Sequence, residues 1–183
     1  SVAINGRRCD PINNGLELLG MAGSMSGPEL ELISDSVANA NARIRFFRVA
    51  FGAAGEQQMG RAEVVSVLND VSKAGRVTYQ WVPLEGATRS EVRLALLSAL
   101  CLETALPYGG TIKIFCADGK WTVMGEGAKL NVDDELWARV SGGNSNAEIT
   151  PALVQFALLP EAAREADRTV RLEQNLEKIT LQF

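Results

Sequence analysis

Residues 28–51, PELELISDSVANANARIRFFRVAF, decide how this chain is built. Leu30, Ile33, Val37, Ala40, Ile44, Phe47 and Phe51 recur at alternating steps of three and four. That spacing keeps one apolar seam along one side of an α-helix, as in a heptad repeat. The opposite side carries Glu31, Ser34, Asp35, Asn39, Asn41, Arg45 and Arg48. The pattern predicts a helix from Pro28 to about Ala53, and a helix of about 25 residues is about 38 Å long.

Upstream, residues 11–24 (PINNGLELLGMAGS) read as a second helix. Asp10 is a suitable N-cap and Pro11 suits the first turn, where its missing N–H has no partner to lose. Ile12, Leu16 and Leu19 share a face, Gly20 and Gly23 weaken the end, and Ser26-Gly27-Pro28 makes the turn. Residues 1–55 are therefore expected to form a helical hairpin. One hairpin cannot surround its own seam. Two copies packed into a dimeric four-helix bundle bury both seams. The other route is for the hairpin to pack on the rest of its own chain.

Gly52 to Gly60 (GAAGEQQMG) is the expected domain boundary, and residues 60–183 then alternate. A helix is predicted over 61–74, with Val64, Val65, Leu68 and Val71 inward, and a strand over 76–82. A strongly apolar helix over 88–106 is capped by Thr88 or Ser90. Strands 111–117 and 121–125 flank Asp118-Gly119, a hairpin turn sequence. A short helix over 133–140, a polar loop over 141–147, a helix from Thr150-Pro151 to about Leu159, and strands over 168–174 and 178–183 complete the chain. The fold class is α+β: a helical hairpin, then an α/β sandwich with helices on one face of a largely antiparallel sheet.

Composition narrows the function. The formal net charge is -4, with no basic run, which argues against nucleic acid or an anionic membrane as partner. No apolar run reaches the roughly 18 residues of a membrane span, and no signal-peptide pattern opens the sequence. Cys9, Cys101 and Cys116 are odd in number and lack metal-site spacing, so they read as reduced thiols of a cytoplasmic protein. The sequence contains no histidine, which excludes serine–histidine and cysteine–histidine catalysis and histidine metal sites.

The stretch LLSALCLETALPYGGTIKI (96–114) resembles the catalytic ATP-binding domain of sensor histidine kinases, where a helix leads through a Gly-Gly turn into a strand. In those kinases the helix supplies an Asn to Mg²⁺, and a later Asp-x-Gly-x-Gly reads adenine. Residues 90–106 contain no Asn, and the second motif is Val123-Met124-Gly125-Glu126-Gly127, without the Asp. A hairpin joined to such a nucleotide-free domain is similar to the ChpT family of histidine phosphotransferases. Cys9, Asp10, Pro11 and the segment Asn13-Asn14-Gly15-Leu16-Glu17-Leu18-Leu19 match the start of that family.

The resemblance implies phosphoryl relay from the receiver domain of a hybrid kinase to a response regulator, with no ATP-dependent kinase activity. No cofactor is expected, because Mg²⁺ belongs to the partner receiver. The family's phosphoacceptor histidine falls between Cys9 and Asp10, where this sequence has none, and the spacing from Asp10 to Ile12 is shorter than the family pattern. One reading is that the native polypeptide carries additional residues there, the histidine among them. The other is a non-catalytic dimeric adaptor that docks receivers.

By the same resemblance Asp10 is the acidic neighbour of the histidine, although an N-cap is the plain reading. Asn13, Asn14 and Glu17 are candidate receiver contacts, or else a solvated helix face. Cys9 reads as packing, Arg45 and Arg48 as surface charges, Gly125 and Gly127 as relics serving a turn, and Trp81, Trp121 and Trp137 as core.

Overall fold

The computed structural model describes residues 27–183, together with Gly15 and Leu18. Pro28–Ala50 form one continuous helix, α1, with Pro28 in its first turn and Glu29 and Glu31 near its N-terminal dipole. It is followed by the two-residue strand β1 (Gln58–Met59), helix α2 (Arg61–Ala74), strand β2 (Val77–Trp81) and the short strand β3 (Ala87–Thr88). Helix α3 (Arg89–Thr104) leads into the hairpin β4 (Gly110–Ala117) and β5 (Lys120–Glu126). Helix α4 (Asp134–Val140), a 3₁₀ turn (Pro151–Leu153), helix α5 (Val154–Glu165) and strands β6 (Arg171–Gln174) and β7 (Lys178–Gln182) complete the order.

The main sheet has the order β2-β4-β5-β7-β6. Only β2 and β4 run parallel, and the other three pairings are antiparallel. Alternate residues of the strands point to one side, where Val77, Tyr79, Trp81, Ile112, Ile114, Trp121, Val123, Ile179 and Leu181 are buried. Helix α3 lies on that face, and α1 and α5 pack against its outer side. This explains why residues 94–102 of α3 are buried without a break. A helix covered on all sides carries apolar residues all round.

Local chemistry sets the ends of these elements. Thr88 caps α3 through a complete capping box with Glu91. Asp133 caps α4 by accepting from the Leu136 amide at 3.0 Å. The Asp118-Gly119 turn has both residues in the left-handed region (φ 51 and 73), as a two-residue hairpin demands.

Several expectations are corrected. In α2 the inward residues are Val64, Val67, Leu68 and Val71, while Val65 is only partly buried, because the helix faces both α1 and β2. Helix α5 runs past Leu159 through Pro160, held by the burial of Phe156, Leu159, Ala162 and Ala163 on one face. The β1–β3 pair, with Gln58 opposite Thr88 and Met59 opposite Ala87, is too short for any periodicity to announce. Segment 52–57 is pinned to the start of α3: Ser90 N–H donates to Gly55 O at 3.1 Å and Arg89 N–H to Gln57 O at 2.8 Å. Trp81, Trp121 and Trp137 are core residues, as expected.

Candidate functional site

Cys9, Asp10, Asn13, Asn14 and Glu17 lie outside the described residues. Within the same segment Gly15 and Leu18 are both helical, and Leu18 is 67% exposed.

Helix α1 has two apolar stripes with different fates. Ala42, Phe46, Val49 and Ala50 are buried against the α/β domain. Phe46 reaches the sheet, its ring centroid 5.7 Å from that of Tyr79. At 3.6 residues per turn this stripe lies nearly opposite the heptad seam. Among the described residues the seam is open in part: Ile33 is 45%, Ile44 41% and Phe51 37% exposed, while Phe47 is partly buried against the core. Packing on the rest of the chain and an open seam thus occur together, on different sides of one helix.

Two arginines flank the buried stripe. Arg43 donates two hydrogen bonds to Glu103 at the end of α3, at 2.7 and 2.9 Å. Its guanidinium carbon lies 5.4 Å from the centroid of Phe47. The Tyr79 hydroxyl donates to the same carboxylate at 3.1 Å. Burial works against the charge on Arg43, but the hydrogen bond and charge of Glu103 hold its pKa above the ordinary value. On the other flank Arg45 donates to Asp70 on α2 at 2.5 Å and reaches Ser66 at 3.4 Å. Arg45 is therefore an interdomain tether and not a plain surface charge. Arg48 is exposed at the last turn of α1, and its carbonyl faces Arg89. Under the middle of α1, an open corner of about 550 Å³ is lined by Ala38 and Ala42 and by the polar Asp35, Asn39, Asn41, Arg45, Asp70 and Lys73.

In the α/β domain both α3 and the segment 125–127 are tightly packed. In α3 the residues from Leu94 to Leu102 are core, and burial pushes the Cys101 thiol well above its ordinary pKa. Gly125 and Gly127 do not serve a turn. Gly125 is a strand residue opposite Ile112 and Ile179. A Cβ there would touch Leu102, Leu106 and Ile179, and a Cβ on Gly127 would come within 2.7 Å of Leu106. Both glycines let β5 and its exit pass close to the end of α3. Trp137 and Phe156 meet edge-on at 5.1 Å and seal α4 against α5. Among the described residues no three His, Cys, Asp or Glu side chains cluster as a metal site, and no helix is long and apolar enough to cross a membrane.

The family model described as "Histidine phosphotransferase C-terminal domain" matches residues 61–178. The chain belongs to the histidine phosphotransferase family. The match runs from the first residue of α2 to the first residue of β7, most of the α/β layer of this histidine phosphotransferase. A curated relative, protein phosphotransferase ChpT of Brucella abortus (strain 2308), is 29% identical over 178 residues, covering 92% of this chain and 83% of the relative. The solved structure of a bacterial phosphotransferase superimposes with a TM-score of 0.70 at 26% identity, over 93% of this chain and 85% of that one. The sequence resemblance to a ChpT-type protein, drawn from Cys9 to Leu19 and from 96–114, is thereby confirmed.

What sequence reading missed in this family member is the second stripe of α1 and its arginines. Phe46-Phe47 was the available signal. Adjacent helical residues point about 100° apart, so two large apolar neighbours need two covering surfaces.

Proposed function

We propose that this chain is a phosphoryl carrier that links two receiver domains in a two-component phosphorelay. The family match over residues 61–178 is the observation that carries this reading. The acceptor is a histidine that we place between Cys9 and Asp10 of the native polypeptide. An imidazole nitrogen attacks the phosphorus of the receiver's aspartyl phosphate, the P–O bond to the carboxylate breaks, and the carboxylate leaves. The response regulator's aspartate takes the group by the reverse chemistry. Such transfer depends on in-line approach and charge stabilisation, so a carrier needs only an exposed imidazole on a rigid helix. Asp10 is the acidic neighbour, and Asn13, Asn14 and Glu17 are the receiver contacts in this reading.

Residues 1–55 serve as the dimerisation and transfer unit, and residues 60–183 as a nucleotide-free partner domain. The open seam of α1 supports a dimeric four-helix bundle: burying Ile33, Ile44 and Phe51 would contribute about 1.5–3 kcal/mol for each side chain. The missing Asn in α3 and the packed residues 94–102 support the loss of ATP binding. The expected site of action is the cytoplasm, without nucleic acid or membrane partners.

The test is to mix the protein with a phosphorylated receiver. The expected product is an acid-labile, base-stable phosphoprotein, and the intact native polypeptide should be heavier than 19.7 kDa. One observation favours a second reading, a dimeric adaptor that docks receivers without chemistry: this sequence has no histidine. A native peptide with Cys9 bonded directly to Asp10, together with no labelling, would leave the adaptor.

A further inference from the structure

We infer that Arg43 and Arg45 are a pair of positioning residues that lock α1 to the α/β domain as one rigid body and so hold the corner between α1 and α2 in a single geometry. The lock itself rests on contacts within this chain, and only its consequence for transfer rests on the proposed relay function.

Three features lead here. First, the two arginines leave α1 on either flank of the buried stripe of Ala42, Phe46, Val49 and Ala50. Their partners belong to different helices. Arg43 holds Glu103 of α3 through two hydrogen bonds, and Arg45 holds Asp70 of α2. An apolar stripe alone permits a helix to roll about its own axis or slide. Contacts on both flanks oppose roll in either direction.

Second, the part-buried Arg43 contact reaches the edge of the core. Glu103 also accepts from the hydroxyl of Tyr79, which lies on β2 and is only 5% exposed. The guanidinium lies against the rings of Phe46 and Phe47. Arg43 Nη2 reaches both carboxylate oxygens, and the hydroxyl and the two rings around the pair restrict where it can sit. One network therefore joins α1, α3 and the sheet.

Third, Arg45 and Asp70 themselves line the open corner under the middle of α1. The N-terminal half of α1 extends beyond the α/β domain, with residues 31–36 all exposed. Its direction relative to α2 is set by the locked C-terminal half. A partner seated in the corner would meet α1 and α2 together, as one surface.

The experiment measures the distance distribution between spin labels at Glu31→Cys on α1 and Glu173→Cys on β6. Cys9 and Cys116 are changed to Ser, the buried Cys101 is kept, and unlabelled protein is added in excess so that only distances within one chain are read. The expected wild-type result is a single narrow distribution. R43Q/R45Q should broaden it clearly, whereas the charge swap R45D/D70R should keep it narrow. A broad wild-type distribution overturns the lock. So does an unchanged width in R43Q/R45Q, or a swap as broad as that double variant. Should R43Q/R45Q fail to fold, D70N/E103Q removes the two acceptor charges with smaller loss of packing and is judged in the same way. Transfer from a phosphorylated receiver should slow by roughly tenfold in the broadened variant, as misplaced reacting groups do. If the wild-type protein accepts no phosphoryl group at all, the relay reading fails while the distance result still decides the lock.

Discussion

The indole N–H of Trp121 donates to Glu91 Oε1 across 3.2 Å, tying the start of β5 to the first turn of α3. The other oxygen of Glu91 accepts from the backbone N–H and the hydroxyl of Thr88, each at 2.9 Å. Arg168 approaches the carboxylate at 3.6 Å.

Burial alone would raise the Glu91 pKa, but the Thr88 and Trp121 hydrogen bonds and the Arg168 charge bring it below the ordinary value of 4.5. A carboxyl with a lowered folded pKa stabilises the fold above its unfolded value, and that contribution is lost as pH falls through the folded one. Glu91→Gln should therefore cost about 1 kcal/mol near neutrality, because the amide cannot accept from every donor the carboxylate serves. It should also flatten the acid limb of stability. Urea midpoints measured from neutral pH down into the acid range check both, and an equally steep acid limb in the variant rules out Glu91 as its source.

The two stripes of α1 make opposite predictions for neighbouring residues. Ile44 is 41% exposed and belongs to the open seam, so on the proposed bundle Ile44→Asp should turn a wild-type dimer into a folded monomer. Phe46 is fully buried, so Phe46→Ala should lower stability by about 3–5 kcal/mol. Light scattering and thermal melts of both variants separate the roles. A monomeric wild type at tens of micromolar removes the bundle, and a monomer melt for Ile44→Asp as poor as that of Phe46→Ala removes the division between stripes.

Most elements were legible because each rests on local signals: the heptad steps of α1, the cap Thr88, and the Asp118-Gly119 turn. What stayed hidden depends on partners distant in sequence. Arg45 reads as a surface charge until α2 brings Asp70 beside it. Gly125 reads as a turn remnant until Leu102 and Leu106 lie against the strand. Glu103 sits among helix-forming residues and gives no sign that Arg43 and Tyr79 converge on it. The candidate transfer residues before Leu18 could be proposed only by resemblance, since no periodicity singles out a phosphoacceptor helix from any other amphipathic one.

Ser98 is a misfit in the core of α3. It is fully buried, and its hydroxyl has no hydrogen-bond partner among the described residues. Ser98→Ala removes that unsatisfied group and places the best helix former in a helix interior. It should raise stability by about 1 kcal/mol, read as a higher urea midpoint with an unchanged slope. A drop in midpoint would mean that the hydroxyl is satisfied in solution.

Tyr79 provides the alkaline counterpart of Glu91. Burial first, and then the Glu103 carboxylate, push its phenol well above the ordinary value of 10.0, against the opposing charge of Arg43. A raised folded pKa means that the stabilisation is complete below the unfolded value and is lost as pH rises above it, where the unfolded chain ionises and the folded one does not. Glu103→Gln removes the neighbouring negative charge but leaves the burial. The phenol should then ionise at lower pH than in the wild type while staying above its ordinary value. The chain has two tyrosines, so the titration is followed by tyrosinate absorbance in a Tyr108→Phe background, where Tyr79 alone responds. The same variant should show a shallower loss of stability with rising alkalinity. An unchanged Tyr79 titration in Glu103→Gln would mean that the carboxylate does not act on the phenol in solution, and the network joining α1, α3 and the sheet would lose its centre.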